Sequence, residues 1–408
     1  MKIGILREGK IPPDKRVPLT PRQCRSILNI YPNVEIVIQP SDFRCIGDDE
    51  YRKAGIPLSE DLKMCDVILG VKEVPVSNLI PDKTYLFFSH TIKKQPYNKG
   101  LLQQILKKNI RLVDYELLTD SKGMRLIGFG RYAGLVGAYN GLLTYGKRLG
   151  LYELKPAHLC SGLNEMKKEV RGINLPPVKI AITGNGRVAT GAVELMEEAG
   201  VSRLPVTEYL YNDSIQEASY VQLTPGDYNR HKDGKAFELL HFFKQPEVYV
   251  GNFRRFLSAT DLFISAAFWD PKAPVLFTQQ DMLKEDFRIK VIADITCDIN
   301  GSIPSTQRAA TIAEPIYDYS PVSDQIEPPL SNEKHVTVMA VDNLPCELPK
   351  DASVDFGSRL MNRILPFIIG PDREEVIKRA TIAVDGHLTK RFIYLSDYVA
   401  ENYTAPIN

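Results

Sequence analysis

The sequence is poor in the features that mark membrane, secreted or metal-binding proteins. None of its apolar runs approaches the ~18 residues of a membrane span. The N-terminal stretch MKIGILREGK carries charge at Lys2, Arg7, Glu8 and Lys10. It has neither the apolar centre nor the cleavage site of a secretory signal, so none is expected. The six cysteines (24, 45, 65, 160, 297 and 346) are scattered, with no C-x-x-C pair and no Cys/His zinc spacing. Reduced thiols in the cytoplasm, and no metal site, are the expectation. Neither sign of charge dominates: 51 Lys and Arg face 50 Asp and Glu, a formal net charge of +1. That leaves no electrostatic reason to expect nucleic acid or an anionic membrane as partner. What remains is a chain of 408 residues, 44% hydrophobic and 25% charged, which is ordinary for a globular protein of two domains.

Its pattern is that of an α/β protein. MKIGILRE reads as a first strand, and Thr20-Pro21 as an N-cap followed by an N1 proline. VEIVIQP, CDVILGVKEVP and KTYLFFSHT are short apolar runs, and LLQQILKKNIRLVDYELL is a helix leading into a strand. Strands alternating with helices predict a parallel sheet. The pattern restarts at VKIAIT after residue 177 and continues through DLFISAAFW and IKVIADIT. Two further helices, at 131–150 and 351–369, suggest that the chain leaves the first domain, builds the second and returns. The expected domains are therefore 1–140 with 345–408, and 141–344. The polar segment 212–247 reads as an insertion or mobile region.

Two glycine runs share the pattern G-x-G-x-x-A: GFGRYAG at 128–134 and GNGRVATG at 184–191. A dinucleotide turn needs a buried strand before it and a helix N-terminus after it, so that backbone N–H groups meet the pyrophosphate. The second run has both, with VKIAIT before and 190–199 after. Gly184, Asn185, Gly186, Arg187, Val188 and Ala189 are thus the expected NAD or NADP turn, with Leu204–Thr207 as the following strand. Glu208 lies near the expected ribose position, but no acid there is unambiguous, so NAD against NADP stays open. The first run has a short charged segment upstream. Gly134, Gly137 and Gly141 then lie along an apolar helix, a face for close packing at a domain junction.

Charged residues gather at the ends of the first domain's strands, where ligands bind in parallel sheets. LREGKIPPDKRVPLTP, GVKEVP, FFSHT and DYE supply Arg7, Glu8, Lys10, Arg16, Lys72, Glu73, His90 and Glu116, with Arg125 nearby. Arginine and lysine suit a substrate with more than one carboxylate, and Glu73 and Glu116 suit an ammonium. His90 is of the residue type suited to proton transfer, and a lysine crowded by cations can act as a base. Each also has a plainer reading. His90 can be structural, Lys72 and Glu73 a solvated pair, Arg16 a surface charge, and Arg7 the partner of a neighbouring carboxylate.

KRVPLTP, GVKEVP and FFSHT resemble the alanine dehydrogenase/transhydrogenase superfamily. FSHTIKKQPYNKGLL, IRLVDYELL, GFGRYAGLVGAYN, YVGNFRRFL, IADITCDINGSI, VDNLPCELPKDAS and DGHLTKRFIYL more closely resemble lysine-2-oxoglutarate reductase. That enzyme is the lysine-forming saccharopine dehydrogenase half of a bifunctional aminoadipic semialdehyde synthase. The resemblance implies two Rossmann-like parallel-sheet domains with an interdomain cleft. It also implies interconversion of lysine plus 2-oxoglutarate and saccharopine with NAD or NADP. By motif position, Lys72 and His90 resemble the family's acid/base pair and Arg16 and Arg125 its carboxylate binders. Arg7 joins the substrate side, and Glu73 and Glu116 tune charge there. The resemblance places Phe268, Trp269, Asp294 and Asp342 on the cofactor side. The chain stops at 408, so the glutamate-forming half is expected to be absent. An alanine or opine-type dehydrogenase and a non-enzymatic NAD(P)-binding regulator are the alternatives. Homo-oligomer formation is left open.

Overall fold

The computed structural model describes residues 1–11, 14–212 and 214–400. Pro12 and Pro13 of the first charged stretch, Asp213 of the polar segment, and 401–408 lie outside the described residues. The chain forms two compact units, Met1–Gly128 with Pro349–Asn408, and Phe129–Leu348.

In chain order the first unit starts with β1 (Lys2–Ile5), α1 (Pro21–Ile30), β2 (Glu35–Ile38), β3 (Val67–Leu69), β4 (Thr84–Phe87), α2 (Lys99–Lys107) and β5 (Arg111–Asp114). The second unit contains α3 (Gly130–Leu149), β6 (Lys179–Thr183), α4 (Arg187–Glu198), β7 (Ser202–Arg203) and β8 (Ser219–Leu223). It continues through β9 (Asn229–His231), α5 (Leu239–Lys244), β10 (Tyr249–Gly251), β11 (Leu262–Ser265), β12 (Val291–Asp294), β13 (Ile316–Ser320), β14 (Gln325–Glu327) and β15 (Val336–Met339). The chain then re-enters the first unit with α6 (Pro349–Arg363), β16 (Thr381–Val384) and β17 (His387–Leu388).

The first unit's sheet has the order β17-β16-β5-β4-β3-β1-β2, with β2, β1, β3, β4 and β5 parallel. Connections from β1 run to β2 on one side, while the later strands build outward from β3 on the other. The order therefore reverses between β1 and β3, and the loops after these two strands flank a switch point, where open parallel sheets bind ligands. Apolar strand faces and helix faces close the core around Ile68, Tyr85, Phe87, Leu102, Ile105 and Ile382. Thr20 caps α1 in a reciprocal box with Gln23. The Gln23 amide then donates to Val354 O at 2.9 Å, tying α1 to the returning α6.

The second sheet has the order β14-β13-β15-β12-β11-β6-β8-β7, parallel from β15 to β7. The glycine turn after β6 lies beside the strand-order reversal between β6 and β11. Three details differ from expectation. Helix α3 is one unbroken rod, so the units divide at 128/129 and 348/349 rather than at 140/141 and 344/345. The segment at 351–369 is broken at Ile364, before Pro366, whose ring and missing N–H interrupt a helix. The strand in this region, β7, lies at Ser202–Arg203, before the expected Leu204–Thr207, because Pro205 cannot extend the ladder and instead opens a helix at Val206–Tyr211. The strand beside β6 is β8, from within the polar segment read as an insertion.

Candidate active site

The glycine runs divide by what surrounds them. In GFGRYAG a Cβ on Gly134 would meet Val188 O at 1.9 Å, and in the other run one on Gly191 would meet Arg131 O at 2.1 Å. These two glycines let α3 and α4 lie backbone to backbone. The contact of Gly134 lies inside the second unit, and the run that carries it straddles the division at 128/129. In GNGRVATG, Gly184 has φ +101° and sits against Ala266 O, a conformation and clearance that only glycine tolerates. Gly186 faces open space where a Cβ would go. No side chain caps the N-terminus of α4 at Gly186, and its first turn holds no acid. An exposed glycine backbone at an uncapped helix N-terminus is what a pyrophosphate requires, so the residues present fit a dinucleotide. Asn185 is exposed and Ala189 buried, with Arg187 and Val188 opening the helix between them.

Beside this turn, Gln222 at the end of β8 donates to Gly184 O at 3.1 Å. The first carboxylate beyond β8 is Asp227, which accepts from Thr224 N and Oγ1 at 2.7 Å. Glu208 falls instead in the helix Val206–Tyr211, after the edge strand β7, and so leaves the ribose position. Beyond β11, Phe268 is 86% exposed and the Trp269 indole donates to Pro274 O. Both line a pocket of ≈ 250 Å³ together with Tyr228 and Phe242. Asp294 is buried, and its carboxylate shapes its own loop by accepting from Thr296 Oγ1 (2.6 Å) and Thr306 Oγ1 (2.7 Å). Asp342 is exposed in the loop after β15.

The first unit's cluster is built differently, from charged side chains. Glu8 follows β1 and accepts the N–H groups of Val71 (2.7 Å) and Lys72 (2.8 Å) after β3, locking the two switch-point loops together. Burial, then the charge of Asp14, push its carboxyl up to about 8. Asp14 and Arg16 form a buried two-pronged pair, with Nε–Oδ1 at 3.0 Å and Nη2–Oδ2 at 2.5 Å. Burial opposes the Asp14 charge, but the guanidinium holds it well below the usual carboxylate range. Lys72 is lowered from the ordinary lysine value by burial first, then by the Arg16 and Lys10 charges. It is therefore a lysine biased toward the neutral amine.

Glu73 and His90 meet at 2.5 Å, Oε1 to Nδ1. Burial alone would raise Glu73, but the His90 contact outweighs it and holds the carboxyl at about 2. An ionised Glu73 can only accept, so Nδ1 carries the proton and Nε2 is left to exchange one. His90 has φ +52°, a strained geometry for a non-glycine residue, and its ring stacks on Phe88. Asp114, buried at the end of β5, accepts from Ser89 Oγ (2.5 Å) and Glu116 N (2.7 Å). It thereby fastens the His90 loop to the Glu116 loop. Glu116 pairs with Arg125 at 3.1 Å, and Lys93 lies 3.9 Å away. Arg7 is not brought into this cluster. It points to Glu60 at 2.9 Å and Pro40 O at 3.2 Å, because the residue after it, Glu8, takes the inward position. Arg16 is buried rather than a surface charge.

Two members went unassigned in the sequence. Asp14 lies in a run of charges that alone gives no reason to single it out, and Asp114 sits next to the noticed Glu116 in DYE. Among the described residues, no group of three or more His, Cys, Asp or Glu is placed to hold a metal, and no helix is long and apolar enough to cross a membrane. The six cysteines are all free thiols.

Residues 4–136 match the family model described as alanine dehydrogenase/PNT, N-terminal domain. Over 96% of its length the chain is 31% identical to alpha-aminoadipic semialdehyde synthase of Arabidopsis thaliana, of which it covers 41%. Over 94% of its length it is 29% identical to the mitochondrial alpha-aminoadipic semialdehyde synthase of Bos taurus, covering 46%. The chain thus spans less than half the length of these curated relatives. It is also 25% identical, over 96% of its length, to the saccharopine dehydrogenase (NAD(+), L-lysine-forming) of Yarrowia lipolytica, covering 98% of it. Its fold is that of an L-alanine dehydrogenase, with TM-score 0.67, 15% identity, and 98% and 100% of the two chains covered. A transhydrogenase from Sinorhizobium meliloti shares it, with TM-score 0.57, 13% identity, and 95% and 98% covered. The chain is a homologue of these synthases and dehydrogenases, with Rossmann-like α/β architecture.

Proposed function

We propose that this chain interconverts lysine plus 2-oxoglutarate and saccharopine, as an oxidoreductase using a nicotinamide dinucleotide. The observation that carries the reading is the pairing of a lysine pushed toward neutrality, Lys72, with a histidine oriented by an ionised carboxylate, His90 on Glu73. Joining an amine to a ketone, losing water and reducing the imine demands proton transfer at nitrogen and at oxygen. Two proton carriers of different basicity serve that need. The bound cofactor supplies or accepts the hydride.

In the condensing direction, the neutral Lys72 amine takes a proton from the substrate ε-ammonium, which then adds to the ketone carbon. His90 Nε2 passes a second proton from that nitrogen to the former ketone oxygen, and Lys72 returns the first, so that the oxygen leaves as water and an iminium remains. In the reverse direction each runs backward. Arg125, with Glu116 beside it, anchors a substrate carboxylate. Arg16 acts on Lys72 through its charge while held by Asp14. Asp227 is the acid of the adenosine ribose, supported by the position of β8 next to β6; a carboxylate there favours NAD over NADP. The aromatic pocket at Phe268 and Trp269 suits a planar base. Free thiols throughout suit a reducing compartment.

Mass spectrometry after incubation with lysine, 2-oxoglutarate and NADH should find saccharopine, and NADPH should serve less well. Asp227→Asn should narrow that gap. Alanine from pyruvate and ammonia, without saccharopine, would move the protein to the alanine branch. Cofactor binding with no product from either pair would make it a binding protein.

A further inference from the structure

Glu73 lines a pocket of ≈ 430 Å³ contained in the first unit. That size falls in the range of about 300–1,000 Å³ usual for small-molecule sites. Two of the residues that line it carry buried polar atoms with unmet bonding capacity. Glu73 Oε2 is buried and makes no hydrogen bond, with Lys10 Nζ at 3.5 Å. Asn98 is only 2% exposed, and its Nδ2 makes none either. The Tyr97 hydroxyl lies near enough to interact with the Asn98 side chain. A buried donor or acceptor left unmatched is destabilising, so such atoms on residues that line a cavity point to a ligand. Asn98 is also the N-cap of α2, yet its side chain does not cap it. The first turn of α2, through Gly100 and Leu101, lines the same pocket and adds its positive dipole end.

The arrangement is an acceptor on one side, and a cation, an amide donor and a helix N-terminus on the other. Pro75, Leu101 and Tyr97 supply apolar surface between and around them. We infer that this pocket binds the head group of an α-amino acid. The ammonium meets Glu73 Oε2, and the carboxylate meets Asn98 Nδ2, Lys10 and the start of α2. The occupant is either the distal head of the amino-acid substrate, an assignment that rests on the proposed function, or a separate amino acid that acts through the carboxylate gripping His90. Both are the same chemistry.

Norleucine carries this head group and no side-chain amine, so it cannot react. Calorimetric titration of the full chain without cofactor should detect norleucine binding at millimolar concentration, and none of norleucine amide. Asn98→Leu and the exposed-site variant Lys10→Met should each weaken it about tenfold or more, and Arg125→Met should leave it unchanged. Circular dichroism melts confirm that each variant is folded; Lys10→Met retains the test if Asn98→Leu is not. Absence of norleucine binding overturns the inference, as does binding insensitive to both pocket variants or abolished by Arg125→Met. None of these outcomes depends on turnover, so failure here and failure of the proposed reaction are separable. With activity in hand, norleucine competing with lysine identifies the substrate's own head, and mixed inhibition identifies a separate effector.

Discussion

The first unit's candidate site is made of side chains, the second unit's of backbone. Around Lys72 the contacts are made by side chains: Asp14 pairs with Arg16, Glu73 pairs with His90, and Glu8 holds the backbone N–H groups of Val71 and Lys72. At Gly184 and Gly186 the useful feature is the lack of a side chain, at a helix start that no side chain caps. The first construction sets protonation states and the second sets shape and dipole. Substitutions in the two regions should therefore fail in different ways.

The largest effect is expected in the first unit. Lys72→Met and His90→Gln should each lower kcat by about 10²–10⁴, the usual range for a lost acid or base, while the NADH dissociation constant stays put. Cofactor affinity that falls in step with kcat would erase the division of labour. Next comes Gly134→Ala, whose new methyl cannot fit against Val188 O. Forcing α3 away from α4 should cost about 3 kcal/mol, read as a lower midpoint in chemical denaturation. Catalysis per folded molecule should survive. Smaller again is Gly186→Ala, where the methyl has room in the protein but lies where a pyrophosphate approaches. NADH should bind roughly tenfold more weakly with the melting temperature unchanged, since 1.4 kcal/mol of lost contact is a tenfold loss. An equal loss of stability would mean that the turn serves the fold alone.

The smallest effect is in pH dependence. Glu8 has a folded-state pKa raised from 4.5 to about 8. The fold thus retains a proton that the unfolded chain gives up. Its contribution is fully present below the unfolded value and is lost as pH rises from 4.5 through 8. Glu8→Gln should flatten the stability profile over that window, measured by urea midpoints at successive pH values. An unchanged slope would mean that Glu8 is ionised in the fold and that Lys72 is positioned by a true carboxylate.

The same contrast explains what could be read in advance. The turn at 184–189 was legible because its signal is local: strand, glycines and helix follow one another in the chain. So was the Thr20 cap, through Thr20-Pro21, though its partner Gln23 was not singled out. Lys72, Glu73 and His90 stood out because strand ends in a parallel sheet point to one edge. Asp14 and Asp114 did not, since their roles depend on Arg16 being buried and on Ser89 lying beside β5. The strand β8 was hidden by its polar neighbours. Only pairing with β6 shows that Asp227, and not Glu208, follows the strand adjoining the turn. Arg7 was grouped with Glu8 by closeness in the chain, while its side chain bonds Glu60 and Pro40 O.

The most direct test of the central claim is NADH oxidation, followed by absorbance, with lysine and 2-oxoglutarate together and each alone, in the native chain and in Lys72→Met. The account predicts oxidation only with both substrates present, and its near loss in Lys72→Met with NADH binding retained. Oxidation that needs only one of the two substrates, or that persists undiminished without the Lys72 amine, would contradict it.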